Sequence, residues 1–242
     1  MKLLRKILRY VGIGLLFCLT TLLIVVINFA FATPKIDRET LPPNLISLES
    51  QIGQEMLAES KYRNDYFNLQ PNFVSQSRRA FCGVASSVIA VNILNEADVP
   101  VTQATIFDRD TRQVIHPLKV TFGGMTLAQL SDILRANHLS SQEIYASESN
   151  LDEFRTLALD NLNNDRDLIL INYHRKALNQ NGSGHISPIA AYHQESDRFL
   201  IMDVAAYRYP PVWVKSTQLW QSMDSIDSVS DRTRGFILVQ SK

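Results

Sequence analysis

Cysteine is almost missing from this chain of 242 residues: there are two, Cys18 and Cys82, and the first lies in an apolar stretch near the N-terminus. The residues beyond that stretch therefore cannot close an internal disulfide, and no cysteine cluster exists that could sense metal. Net charge is missing too, with 24 Lys and Arg against 24 Asp and Glu. That balance removes the basic footprint of a nucleic-acid binder, so no polyanionic partner is expected. Internal repeats and low-complexity tracts are absent. With 45% hydrophobic residues the chain has the material for a packed core and is not a disordered protein. The five histidines include no close pair of the His-x-x-x-His kind, so their spacing predicts no metal site; a set drawn from His174, His185, His193 and Asp203 is the weak alternative.

Charge is also absent from Tyr10 to Thr33. Lys2, Arg5, Lys6 and Arg9 precede this run, which ends Ala30-Phe31-Ala32 before Thr33-Pro34. Residues 1–32 therefore read as a targeting segment outside the fold. The basic start and the Ala-x-Ala ending fit a cleaved signal peptide. An apolar stretch of about 20 residues, longer than the usual ~7–15, fits a membrane anchor equally well. In both readings residues 33–242 form one exported domain, free in the periplasm or held at the outer face of the membrane through residues 10–32. The flank Leu15-Leu16-Phe17 lacks the small residues expected before a lipid-modified cysteine. Cys82 is then the single cysteine of the exported part, either a reactive thiol or a buried structural one.

Apolar periodicity predicts an amphipathic helix over residues 44–59, a mostly buried helix from Gly83 to Leu94 with Cys82 in its first turn, and helices from Thr126 to Asn137 and from Asn150 to Leu162. Asn150 and Glu153 are placed as a capping pair. Lys61 to Asn72 shows no clear period. After residue 166 come short β-branched runs, Leu168–Tyr173, Ile186–Tyr192, Phe199–Val204 and Gly235–Val239, separated by turn residues. The expected class is α+β, a helical lobe followed by an antiparallel β-rich lobe with a cleft between them.

Chemistry concentrates in Gln76-Ser-Arg-Arg-Ala-Phe-Cys82-Gly83. A thiol at a helix N-terminus is favoured as thiolate, and a glutamine amide six residues earlier can donate to an oxyanion. A base is then required, with a partner to orient it. His185 is the best placed of the histidines, since it follows Gly182-Ser-Gly184 and opens a strand. Asp203 ends the next strand, either as a turn residue or as the orienter of His185, and the hairpin between them brings the two together.

Further residues come in order: His174-Arg175, Gly182-Ser-Gly-His185-x-Ser187-Pro188, Tyr192-His193, Asp203-Val204-Ala205, Tyr209-Pro-Pro211, Trp213-Val214 and Arg234-Gly235-Phe236. Taken with Gln76 and Cys82-Gly83, this series over roughly residues 60–240 resembles the catalytic domain of a phytochelatin synthase. The resemblance implies a papain-like cysteine protease fold acting on glutathione through a γ-glutamylcysteinyl acyl-enzyme. It carries the catalytic cysteine, histidine and aspartate onto Cys82, His185 and Asp203, and the oxyanion glutamine onto Gln76. Arg175 and Arg234 are the expected clamps for the carboxylates of glutathione, with ordinary salt bridges as the alternative. The chemistry needs no cofactor. Cadmium or zinc enters as an activator or as a glutathione complex.

Two departures bear on the outcome. Ala206 stands where the synthases carry an arginine associated with the second substrate, and the cysteine-rich C-terminal region of the plant enzymes has no counterpart here. Both shift the expectation from peptide synthesis toward glutathione hydrolysis. A general exported cysteine peptidase and a non-enzymatic thiol- or metal-binding module remain the competing readings. A homodimer and contact with the membrane through the N-terminal segment stay open.

Overall fold

The structure is a computed structural model and describes residues 2–95 and 99–242. Helix α1 (Lys2–Phe31) carries the apolar N-terminal stretch, exposed from Arg9 to Phe29, with Ala30 buried and Phe31 half-buried at its end. The side chain of Lys2, part of the basic start, lies outside the described residues. A short strand β1 (Ile46–Ser47) comes next, then α2 (Gln51–Glu59) and α3 (Asn64–Asn72). The helix expected over residues 44–59 is thus halved. The Ser50 side chain accepts from Gly53 N and caps α2, while Ile46 and Ser47 pair with Trp213 and Val212. Leu45 and Leu48 are buried all the same, by the sheet edge and not by a helical stripe.

Helix α4 (Cys82–Leu94) begins at the candidate nucleophile, and all but two of its residues are buried. Two short helices, α5 (Thr111–Val114) and α6 (Pro117–Gly123), lead to α7 (Leu127–Ala136). A reciprocal capping box between Thr126 and Gln129 opens α7. Strand β2 (Ser140–Tyr145) and α8 (Leu151–Asn161) come next, with Asn150 capping α8 through Asp152 N and Glu153 N.

The C-terminal half supplies β3 (Asp167–His174), β4 (Gly184–His193), β5 (Arg198–Ile201), β6 (Val212–Lys215), helix α9 (Ser216–Met223), a small β7–β8 ribbon (Ile226–Asp227 and Arg232–Thr233) and β9 (Gly235–Gln240). Seven strands pair antiparallel in the order β1-β6-β5-β4-β3-β9-β2. Along β3, Leu168 and Leu170 pack with α4 and α7, whereas Ile169, Ile171 and Tyr173 pack with α8 and α9. Both faces of the sheet are therefore covered, which explains why its central strands read as unbroken apolar runs. The class is α+β as expected, with one adjustment: helices α8 and α9 close the far face of the β-rich half.

Candidate active site

Cys82 occupies the first turn of α4, where backbone N–H groups lack helical partners and the dipole is positive. The helix start sits hard against the sheet. A Cβ on Gly83 would press on Met125 Cε and lie 3.2 Å from Ile186 Cδ1, so the glycine lets the helix start pack on both side chains without displacing them.

His185 opens β4 opposite Tyr173 of β3, whose ring meets the imidazole edge-on at 5.6 Å. Asp203 lies two residues beyond β5, in an irregular stretch that begins with a register shift between Ile189 and Ala191. Met202 N still bonds Pro188 O, and Val204 N bonds Ser187 Oγ, so the chain is held beside β4 after regular pairing ends. This carries the fully buried Asp203 carboxylate to His185, with His185 Nε2 2.8 Å from Asp203 Oδ1. His185 also stands close enough to Cys82 to act on the thiol, and Nδ1 is the ring nitrogen that Asp203 leaves free. Cysteine, histidine and aspartate thus stand in one row, assembled from a helix start, a strand start and a strand end.

The electrostatics come from this row. Burial alone would push the Cys82 thiol up, but the hydrogen bond and charge of His185, with backbone contacts at Ile186 and Gly83, hold it below its ordinary value. Burial and the Arg175 charge oppose protonation of His185. The Asp203 charge and hydrogen bond, with the Cys82 contact, outweigh them and raise it. Burial would also raise Asp203, yet Arg175 first and His185 second keep it far below the carboxylate range. The shifts of Cys82 and His185 both act in the direction of a thiolate beside an imidazolium.

Arg175 is not where a substrate clamp would stand. It is buried, its Nη2 donates to Asp203 Oδ1 at 2.8 Å, its Nη1 donates to Gln180 Oε1 at 2.8 Å, and Nη1 also lies 2.8 Å from Asp203 Oδ2. Tyr209 stacks on its guanidinium at 5.2 Å. The expected carboxylate partner is real but internal: it is Asp203.

Gln76 shows a similar displacement. Its Nε2 donates to Arg78 O at 3.0 Å, Arg79 O at 2.8 Å and Tyr207 Oη at 3.3 Å, and its Oε1 is buried without a partner. With both amide hydrogens committed to its own loop, the donor is not free for an oxyanion in this conformation.

A cavity of about 350 Å³ opens beside Cys82 and His185. Arg234 lies in its wall, with Nη1 on Asn172 Oδ1 at 2.8 Å, Nη2 3.6 Å from Asp227 Oδ1, and a buried Nε that has no acceptor. A Cβ on Gly184 would fall 2.4 Å from Arg234 Nη1, so this glycine makes room for the guanidinium. Asn172 and Asp227 also line the cavity. Sequence reasoning passed over both, because one is internal to an apolar strand and the other sits in a two-residue strand with no pattern.

The histidines separate. His193 lies at the far end of β4, where its Nε2 is 3.2 Å from Glu59 Oε2 and Glu195 stands close enough to form a three-residue group. His174 caps the turn after β3. The metal set of His174, His185, His193 and Asp203 is therefore not gathered.

A family model for phytochelatin synthase matches residues 36–236. The chain belongs to the phytochelatin synthase family. Among relatives, glutathione gamma-glutamylcysteinyltransferase 1 of Lotus japonicus is 32% identical over 209 residues, covering 84% of this chain and 42% of that protein. Glutathione gamma-glutamylcysteinyltransferase 2 of Arabidopsis thaliana is 32% identical, with 84% and 46% covered. The Schizosaccharomyces pombe enzyme of the same name is 27% identical, with 84% and 50% covered. The chain thus spans about half the length of the curated relatives it matches. Among solved structures, xylellain, a cysteine protease from Xylella fastidiosa, superposes with a TM-score of 0.44 at 9% identity, covering 88% of this chain and 97% of that one.

Proposed function

We propose that this phytochelatin synthase family member cleaves glutathione at its Cys–Gly bond through a γ-glutamylcysteinyl thioester on Cys82. The observation that carries the reading is the Cys82–His185–Asp203 row at the wall of a small cavity that also holds Arg234 and Asp227. The Cys82 thiolate attacks the carbonyl carbon, and the oxyanion is received by backbone N–H groups at the start of α4. Gln76 joins them if its amide leaves the Arg78 and Arg79 carbonyls. The C–N bond breaks as His185 gives its proton to the departing glycine amine. His185 then takes a proton from water, or from the α-amine of a second glutathione, as that nucleophile attacks the thioester and frees Cys82. Asp203 fixes the imidazole, and Arg175 fixes Asp203.

Arg234 and Asp227 suit the zwitterionic γ-glutamyl end of the donor, guanidinium to α-carboxylate and carboxylate to α-ammonium. That pairing favours a small charged substrate over the general-peptidase reading. Water is the favoured acceptor, because Ala206 offers no cation to a second substrate. Cadmium or zinc would enter as the glutathione complex. The N-terminal segment is read as a retained anchor: the Ala30-Phe31-Ala32 site lies within or directly beside α1, Ala30 is buried, and Phe31 packs on Phe122. A peptidase needs such a site extended and free.

Purified full chain in detergent, given glutathione with and without cadmium or zinc, should release glycine and γ-glutamylcysteine in near-equal amounts by mass spectrometry. A mass increase on Cys82 equal to the γ-glutamylcysteinyl group should be trapped on acid quenching. Cleavage of unrelated peptides with glutathione left intact would sink the reading.

A further inference from the structure

The apolar window of α1 runs from Arg9 to Phe31, 23 residues. At about 1.5 Å per residue it spans roughly 35 Å, slightly more than the ~30 Å of a hydrocarbon core. Its C-terminal turn therefore ends at the membrane boundary. That turn is packed on the folded domain: the Phe29 ring lies under the Arg79 guanidinium at 4.3 Å, and Phe31 lies under Arg78 at 4.7 Å and edge-on to Phe122 at 6.0 Å. Whatever touches Phe29 and Phe31 stands at headgroup level.

The element standing there is α6. Val120 and Thr121 turn inward, while Leu118 and Phe122, one turn apart on the same side, are 48% and 59% exposed with Lys119 exposed between them. Two large apolar side chains beside a lysine, with the exposed Arg79 on the adjoining turn, make the face of an interfacial helix; Arg78 is half-buried and braces this face from within, donating to Thr121 Oγ1 at 2.9 Å. Cationic residues at that depth meet lipid phosphates. Phe122, Gly123, Gly124 and Arg79 also line the Cys82 cavity.

We propose that the outward face of α6 and the Arg78–Arg79 turn form a docking surface for an anionic phospholipid bilayer, seating the cavity mouth against the headgroups. The proposal rests on the reading of α1 as a retained anchor and adds a second, independent contact. The anchor alone would leave the domain free to swing; the docked face fixes which side of it meets the lipid. Substrate then enters along the headgroup layer.

The test uses the full chain carrying Leu118→Trp, a position outside the cavity lining, reconstituted into phosphatidylethanolamine–phosphatidylglycerol vesicles with brominated acyl chains. Ile52→Trp on α2, 60% exposed, is the control, and emission from Trp213 and Trp220 is subtracted using the parent. The expected result is at least twofold stronger bromolipid quenching at 118 than at 52, with 118 shielded from aqueous iodide. Equal quenching by both reagents at both positions overturns the docking. The intact mass of protein isolated from cell membranes tests the anchor separately. Loss of residues 1–32 overturns the anchor, and with it docking in the cell, whereas an intact N-terminus without bromolipid quenching overturns docking alone.

Discussion

Arg175 is the residue on which the row depends most. Removing one partner of a buried ion pair strands the other charge, at a cost of about 3–5 kcal/mol. Arg175→Gln should therefore lower the melting temperature by on the order of 10 °C. The pH sign is set by Asp203, whose native pKa is depressed by Arg175 and His185 against burial. Its stabilisation is present above the unfolded value of about 3.9 and lost as pH falls through the native one. Arg175→Gln should show less of that acid-side loss in thermal melts across pH, because the native pKa has moved up toward the unfolded one. Asp65 has the opposite sign. Both of its oxygens are buried without partners, and burial first, then Asp167 and Asp165, hold its pKa well above the ordinary range. Stability from this group is present at low pH and lost as pH rises from about 3.9 through the raised native value. Asp65→Asn should raise the melting temperature at neutral pH, and the gap from the parent should close on acidification. A constant gap would reject the argument.

At the scale of elements, Gly184 makes a sharper test than Arg234 itself. A methyl at 184 meets the guanidinium, not the backbone, so Gly184→Ala should push Arg234 from Asn172 while leaving β4 and His185 paired with Tyr173. The expected signature is a several-fold higher KM for glutathione with kcat nearly unchanged, read from initial rates of glycine release. A fall in kcat with KM unchanged would move Arg234 from substrate binding to the chemistry. The same elements mark what was legible beforehand. Helices α4, α7 and α8 and strands β3, β4 and β9 carry strong periodic or apolar patterns, and the β4–β5 hairpin was enough to bring His185 and Asp203 to the same end of two strands. Strand β2 escaped because its Ser-Ser-Gln-Glu start is a half-exposed sheet edge, and α3 because it buries only Asp65 and Leu69. Arg175 was noticed for the right chemistry with the wrong partner. A guanidinium seeks a carboxylate, and no spacing rule reveals that Asp203, 28 positions away, already supplies one.

For the whole molecule, the position of β9 is the most consequential arrangement. It is the last strand in sequence, yet it lies inside the sheet, pairing with β3 on one side and β2 on the other. Deleting residues 235–242 should thus abolish cooperative unfolding of the domain, measured by calorimetry, and not merely trim its edge. A retained cooperative transition would show that β2 and β3 hold without it. The order of synthesis gives this placement a further meaning. During synthesis α4 and its thiol emerge long before the strand that locks the sheet together. Until then the half-built domain has open sheet edges and an unguarded cysteine, which is the stage at which such a chain is most prone to aggregate.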